Sequence, residues 1–145
     1  SMLDEDTVLH VVGAGDLKGW VEGRVRRDNL DSRVLLHGEV ENPFPLLNKS
    51  DYLIMTSRYE GFPNVALESL VLGIPIITVP FKGGSEELFF QGENSIVSSC
   101  FSGESLIESY MSAQELRFDS LKIREYILEN FDVSIIANKY KEILY

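Results

Sequence analysis

Short apolar runs alternate with longer amphipathic segments along the chain. Five runs rich in β-branched residues, each bounded by glycine, proline or polar residues, predict strands. They lie at 7–12, 33–37, 51–56, 74–79 and 95–98. Segments with helical spacing lie between them, at 16–30, 46–49, 64–72 and, as a single turn, 85–90. Because strands that alternate with helices build a parallel sheet covered on both faces, the predicted fold class is α/β.

Polar residues and glycines mark the ends of the helices. Asp16 is predicted to cap the first helix, and Asn64 to cap the helix at 64–72, which Gly73 ends. The predicted apolar stripe of the first helix comprises Leu17, Trp20, Val21 and Val25. From residue 103 onward the pattern is helical, with breaks near 114–118 and 131–132. The apolar strands at 51–56 and 74–79 suit central positions in a sheet.

Composition and charge narrow the classes of function. The 145 residues are 44% hydrophobic, which suits one globular domain, and no apolar stretch reaches the length of a membrane span. The net charge of −10 argues against a nucleic-acid backbone as the main partner, although a nucleotide needs only local donors. The lone Cys100 fits a reducing compartment. His10 and His37 are interpreted as strand residues rather than metal ligands.

Ligands of open α/β sheets bind at the carboxyl ends of the strands. The loops that follow the predicted strands are 13–16, 38–45, 57–64 and 80–87. In the third loop, Gly61 lets backbone approach a ligand closely. The amides of residues 62–65 fall at a helix N-terminus, where donors lack partners. This arrangement favours an anion or an oxygen-rich ligand.

Glu68 is the only charged residue between Glu60 and Lys82. It lies in an apolar run one helical turn beyond Asn64, where a carboxylate costs free energy unless it is hydrogen-bonded. Its two oxygens match the hydroxyls of a vicinal diol, so Glu68 is a candidate ribose clamp. Glu60 is a candidate for contact with a further hydroxylated group. Spacing alone leaves open that Glu68 only interacts with its helix dipole and that Glu60 is solvated.

The segment EGFPNVALE resembles the E-x7-E signature of the family 4 (group 1) glycosyltransferases, which are retaining enzymes of the GT-B architecture. VVGAGDL is similar to the family's first-half glycine turn, and the stretch from RVLLHGEV to IITVP follows its pattern nearly throughout. GGSEELFFQGENSIV resembles its G-G-x-x-E segment. The resemblance covers residues 8–98 in detail and the helical tail more loosely. It implies a Rossmann-like parallel sheet flanked by helices, the C-terminal, donor-binding half of a GT-B enzyme.

The resemblance also implies roles for the residues that match the motif. Glu68 would hold the ribose hydroxyls of the donor nucleotide, and Glu60, the catalytic candidate, would contact the transferred sugar. Backbone of the loop would face the sugar and the phosphates. The loop residues are Gly61, Phe62, Pro63 and Asn64, of which Pro63 has no N–H to donate.

Further matching positions lie on the second and fourth loops. By resemblance, Val40 and Asn42 would line the base pocket, partly through backbone. Gly83 and Gly84 would shape the wall near the phosphates, and Glu87 would support that loop.

The resemblance further implies that the chain is one piece of a larger enzyme. Residues 1–145 are expected to form a single nucleotide-sugar-binding domain, with Ser1 a remnant of tag removal. The first strand of the domain, the Arg and Lys that neutralise the diphosphate, and the N-terminal acceptor domain are all expected outside this chain. Arg58 and Lys82 are nearby cations without an assigned role. The isolated domain is therefore expected to be inactive in transfer.

The expected function is donor binding in a retaining glycosyltransferase of polysaccharide biosynthesis. It would move a hexose-type sugar from a UDP-linked donor to a glycan or lipid-linked acceptor. No Asp-rich motif is present, so neither a metal nor a cofactor is expected. The expected partners are the nucleotide sugar and the acceptor domain, and no nucleic acid. The expected location is cytoplasmic, at the inner face of a membrane through peripheral association of the acceptor domain.

Three alternatives remain from the sequence. A GT-B sugar-nucleotide epimerase shares the binding residues, and a non-catalytic binding module keeps the fold without turnover. An NAD-dependent oxidoreductase is suggested by Gly13, Gly15 and Glu39. Lys18 occupies the third glycine position of that fingerprint, so the glycines are a weak signal of an oxidoreductase, and a tight strand-to-helix turn is their common alternative.

Overall fold

The computed structural model describes residues 3–83 and 86–144. The chain divides into two compact units, Ser1–Leu46 and Leu47–Tyr145. Each unit is described by itself, and the expectation of a single domain stays a prediction. The expectations for Ser1 and Gly84 lie outside the described residues.

The first unit is built from two parallel strands and the helix that connects them. Its elements are β1 (Leu9–Val12), α1 (Lys18–Arg27), β2 (Val34–Gly38) and α2 (Phe44–Leu47), the last of which crosses into the second unit. Leu9 lies opposite Val34 in the ladder, so the parallel pairing agrees with the α/β prediction. Among the described residues of this unit, Val25 of α1 is the one that is fully buried.

Two predictions for α1 are wrong. The helix begins at Lys18, so Leu17 rather than Asp16 occupies the N-cap position, and it makes no side-chain cap. Leu17 and Trp20 are 70% and 66% exposed. The physical reason is that a helix advances about 100° per residue, so the four predicted apolar positions spread over a wide arc. Within that arc, Val25 is buried and Val21 is half-buried.

The second unit is a three-stranded parallel sheet with helices. Its elements are β3 (Leu53–Met55), α3 (Asn64–Val71), β4 (Ile76–Thr78), a 3-10 turn (Glu86–Leu88), β5 (Ser95–Val97), α4 (Gly103–Glu115), α5 (Ser120–Phe131) and α6 (Val133–Leu144). The strand order is β3-β4-β5, all parallel. The three helices at the end of the chain agree with the predicted breaks. β4 is central as predicted, whereas β3 lies at the edge of its sheet.

The core of this unit lies on both faces of β4. Successive strand residues point to opposite faces, so Ile76 and Ile77 pack into different clusters. The first cluster contains Met55, Ala66, Leu70, Ile76, Leu88, Ile123 and Ile127. The second contains Ile77, Ile96 and Ala113. Burial on both faces explains why this strand lacks the alternation of apolar and polar residues that a half-buried strand shows.

The turn between α3 and β4 confirms Gly73 as the residue that ends the helix. Gly73 has φ +77°, in the left-handed region that favours glycine. A Cβ at this position would lie 2.5 Å from the carbonyl oxygen of Ser120, at the start of α5. The turn therefore brings the end of α3 against α5. None of the described helices is both long and apolar enough to cross a bilayer.

Candidate functional site

The loop 57–63 leaves β3 and delivers the chain into α3. Pro63 is the N-cap residue, with extended backbone (φ −79°, ψ 90°), and its carbonyl accepts from Ala66 and Leu67 at 2.9 and 3.2 Å. The prediction that Asn64 caps this helix is wrong, because Asn64 is already its first helical residue. The helix therefore starts without a side-chain cap.

The uncapped start leaves backbone donors at the carboxyl end of β3. In the described part of the chain, the N–H groups of Asn64 and Val65 donate to no other group. The preceding residue is a proline and has no N–H. Two unsatisfied donors at the positive end of a helix dipole favour an anion or a polar oxygen. The predicted donor cluster is thus present in the structure, and the ligand it serves stays a prediction.

Glu68 lies one turn further along α3 and is half-buried. Its carboxylate makes no hydrogen bond or ion pair with the described residues. A partly desolvated carboxylate without a protein partner is well placed to accept hydrogen bonds from a ligand. The site therefore combines free donors and a free acceptor on neighbouring turns of one helix.

Glu60 is held by backbone pairing between the loops that follow β3 and β4. Tyr59 and Lys82 form a parallel bridge beyond the ends of the strands. The N–H of Lys82 donates to the carbonyl of Arg58, and the N–H of Glu60 donates to the carbonyl of Lys82, both at 3.1 Å. The structure thus brings Glu60 together with Lys82 and the glycine that follows it.

Gly83 packs directly against this pairing. A Cβ built on Gly83 would overlap the carbonyl oxygen of Glu60, which leaves room for glycine alone. Gly61 differs, because a Cβ there would meet no atom of the described residues within 4 Å. The expectation that Gly83 shapes the wall of the site is consistent with this close approach, and its role toward phosphates stays a prediction.

A third segment reaches the same edge of the sheet after β5. The guanidinium carbon of Arg58 lies 5.0 Å from the centre of the Phe101 ring. No sequence pattern predicts this pair, because contacts between distant loops leave no periodic signal. Serine hydroxyls hold the segment: Ser98 donates to the carbonyl of Cys100 at 2.9 Å, and Ser102 caps α4 by accepting from Ser105.

The same hydroxyl groups surround the exposed thiol of Cys100. Hydrogen bonding by Ser102, followed by Ser105, lowers the pKa of Cys100 below its ordinary value, against a smaller opposing effect of burial. The thiol lies 3.6 Å from the Ser102 hydroxyl oxygen. Cys100 is therefore more readily ionised than an isolated cysteine.

Two predicted residues are positioned by contacts with α5. Phe62 lies 6.3 Å from Phe131, measured between ring centres, which anchors the tip of the loop. The carbonyl of Glu87 accepts from the Tyr126 hydroxyl at 3.4 Å, whereas its side chain is exposed. Any support that Glu87 gives its loop within the described residues therefore passes through backbone.

The remaining predicted binding residues belong to the first unit. Val40 is half-buried, and the side-chain oxygen of Asn42 accepts from the N–H of Phe44 at 3.1 Å, at the start of α2. The glycine turn lines a cavity of about 250 Å³ beside α1, and Gly13 has φ +135°.

His10 and His37 lie on β1 and β2, as predicted. Their ring planes are 8° apart, and Nδ1 of His10 lies 2.8 Å from Nε2 of His37. The two rings therefore share a hydrogen bond, in which one imidazole donates and the other accepts. Among the described residues, no group of three or more His, Cys, Asp or Glu is placed to hold a metal ion.

A cavity of about 490 Å³ lies at the opposite edge of the second sheet. Its lining includes Tyr52, at the start of β3, and Ile74, before β4. Burial, with Asp51 and Tyr110 as smaller causes, raises the pKa of Tyr52. The cavity is far from the carboxyl ends of the strands and shares no residue with the candidate site.

Comparison with known proteins identifies relatives for most of the chain. Residues 1–112 match the family described as glycosyl transferases group 1. A Campylobacter jejuni N-acetylgalactosaminyltransferase, which acts on a diphospho-undecaprenol-linked sugar, is 30% identical over 137 residues. That match covers 83% of this chain and 38% of the relative. The Vi polysaccharide biosynthesis protein VipC/TviE of Salmonella typhi is 36% identical over 87 residues, 60% of this chain and 15% of that protein.

Solved structures show the same fold. The lipopolysaccharide outer core galactosyltransferase WaaB superposes with a TM-score of 0.81 at 23% identity, covering 94% of this chain and 40% of WaaB. Anabaena Alr3699/HepE, solved in complex with UDP, gives 0.81 at 21% identity, covering 97% of this chain and 41% of HepE. The chain thus spans about two fifths of these proteins. The GT-B assignment of the fold is confirmed, and the chain belongs to the group 1 glycosyltransferase family.

Proposed function

We propose that this chain is the donor-binding domain of a retaining glycosyltransferase whose donor is a UDP-linked, hexose-type sugar. The observation that carries the proposal is Glu68, half-buried and without a protein partner, one turn behind the free amides of Asn64 and Val65. A nucleoside diphosphate presents a diol beside an anion. The carboxylate matches the ribose hydroxyls, and the amides match phosphate or sugar oxygens.

In this proposal the two glutamates bind different parts of the donor. Glu68 binds the ribose, and Glu60 contacts the transferred sugar from the loop paired with Lys82. Charge on the leaving diphosphate is stabilised by helix amides and by cations. Backbone that is already in position gives this stabilisation without reorganisation at the moment of reaction.

The comparisons support the choice of donor and acceptor class. One structural neighbour was solved with UDP, and a related structure with UDP-glucose. One relative acts on a diphospho-undecaprenol-linked sugar. We therefore propose a glycan or lipid-linked acceptor, held by another domain of the same polypeptide that associates peripherally with a membrane from the cytoplasmic side. We also propose that transfer needs no divalent metal.

Nucleotide binding tests the donor assignment. Calorimetry would compare UDP, UMP, uridine, GDP, ADP and NAD with the wild-type chain and with Glu68→Gln. We expect UDP to bind, NAD not to bind, and Glu68→Gln to weaken UDP and uridine by about 1.5–3 kcal/mol, the scale of hydrogen bonds to a charged group. Glu129→Gln, an exposed change on α5, is the matched control. Binding of NAD alone, or equal UDP affinity in Glu68→Gln, would contradict the proposal.

Transfer assays test the reaction itself. The full-length protein should move the sugar with its anomeric configuration retained, as read by NMR of the product, and chelation by EDTA should leave the rate unchanged. The 145-residue chain should bind donor without transfer, since positioning of an acceptor contributes about 7–11 kcal/mol to such reactions. An inverted product would exclude the retaining mechanism, and transfer by the isolated chain would exclude an acceptor site on another domain.

A further inference from the structure

Arg58 connects the loop that carries Glu60 to the segment that follows β5. It is exposed, and within the described residues its side chain makes no ion pair. Its one described side-chain contact is the face of Phe101, 5.0 Å from the ring centre, which is within the range of a cation–π interaction. In a chain of net charge −10, this cation is thus held by an aromatic ring rather than by a carboxylate.

The segment that carries Phe101 is held by hydrogen bonds on both sides of the ring. Ser98 and Ser102 hydrogen-bond within the segment, and Ser99 and the N–H of Cys100 both reach the hydroxyl of Ser105, at 2.9 and 3.3 Å. Ser105 is buried in the first turn of α4. The ring that meets Arg58 is therefore fixed to a helix of the core.

The other side of Arg58 is fixed by backbone. Its carbonyl accepts from Lys82, whose own carbonyl accepts from Glu60. Three loops, after β3, β4 and β5, are thereby joined at one edge of the sheet, and Arg58 takes part in both connections. We propose that Arg58 is a positioning residue: its contact with the Phe101 ring holds Glu60 in the position where it contacts the donor sugar. The role of Glu60 rests on the proposed function, whereas the coupling of the loops does not.

The expected effect follows from the strength of the contact. An exposed cation–π pair changes an equilibrium by about two- to fivefold. Arg58→Gln and Phe101→Leu should each lower kcat of the full-length protein by about that factor and leave the affinity for UDP unchanged. The double variant should lose no more than either single variant, because both remove the same contact. Phe101→Tyr keeps the ring face and should restore the wild-type kcat.

Deuterium uptake of residues 57–63, measured by mass spectrometry on the same variants, reports the opening of the loop independently of catalysis. It should rise in Arg58→Gln and Phe101→Leu and stay unchanged in Tyr140→Leu, a control change at an exposed aromatic residue of α6. If uptake rises in the variants but the wild-type full-length protein shows no detectable transfer, the coupling of the loops is supported and the proposed function is rejected. Transfer with unchanged uptake and kcat in Phe101→Leu would overturn the positioning role. Weaker UDP binding in Arg58→Gln but not in Phe101→Leu would overturn it too, since Arg58 would then contact the diphosphate directly.

Discussion

Gly83→Ala is the substitution for which the structure gives the sharpest expectation. The added Cβ would overlap the carbonyl oxygen of Glu60, a backbone atom that cannot rotate away. The loop after β4 must therefore move away from the loop after β3. That movement breaks the two hydrogen bonds that Lys82 makes with Arg58 and Glu60.

The magnitude follows from those two bonds. A backbone hydrogen bond contributes a net of about 0.5–1.5 kcal/mol, so the free energy of unfolding should fall by about 1–3 kcal/mol. For a chain of this size that corresponds to a decrease in Tm of roughly 3–10 °C. Donor binding should weaken as well, because Glu60 is displaced.

Gly61→Ala is the matched control, a glycine of the loop that carries Glu60. In the part of the chain that the structure describes, no atom lies within 4 Å of its added Cβ, and its backbone is not in the left-handed region. Alanine there restricts only the unfolded chain, which should leave Tm unchanged or raise stability by up to about 1 kcal/mol. Calorimetric melting of both variants checks the contrast. Equal Tm values for Gly83→Ala and the wild type would refute the close approach of Gly83 to Glu60.

Three further outcomes are expected. Ser95→Ala should raise Tm in thermal melting, because the Ser95 hydroxyl is buried without a partner in the described residues, and a lower Tm would indicate a hydrogen bond there. Glu60→Ala should strongly lower turnover of the full-length protein while leaving UDP affinity, measured by calorimetry, nearly unchanged; an equal loss of UDP affinity would reject the division between the glutamates. Alkylation of Cys100 should reach half its maximal rate at a lower pH than a free thiol, because its thiolate forms at lower pH, and a midpoint at or above the ordinary value would contradict the serine hydrogen bonds.

The fold was readable from sequence where burial dictates the pattern. The run at 74–79 carries no charge and is mostly apolar because β4 is buried on both faces, and the left-handed turn after α3 needs Gly73. The predicted caps at Asp16 and Asn64 failed for a different reason. In each helix the N-cap position lies one residue from the predicted one, at Leu17 and at Pro63, and a side-chain cap requires that position.

The sequence predicts the part of the candidate site that lies within one continuous segment, but not the contacts between different loops. Glu68 and the amides after Pro63 share one helix, so spacing alone brought them together. The contact of Arg58 with Phe101 joins residues after different strands, and that proximity comes from the sheet order rather than from any local pattern. Trp20 was predicted to lie on the apolar stripe of the first helix but is exposed, because apolar character alone does not decide which residues face the core.

The hydrogen bond between His10 and His37 provides an NMR signal that is specific to the first unit. Both rings are exposed, so the shared imidazole proton is recorded at low temperature, where exchange with water is slowed. It resonates downfield of the amide region, which sets it apart in a one-dimensional spectrum. Because His10 lies opposite Leu35, a slip of the strands by one residue would turn one ring to the other face. The proton signal thus reports the strand register directly, and its loss during denaturant titration would time the separation of β1 from β2 independently of the second unit.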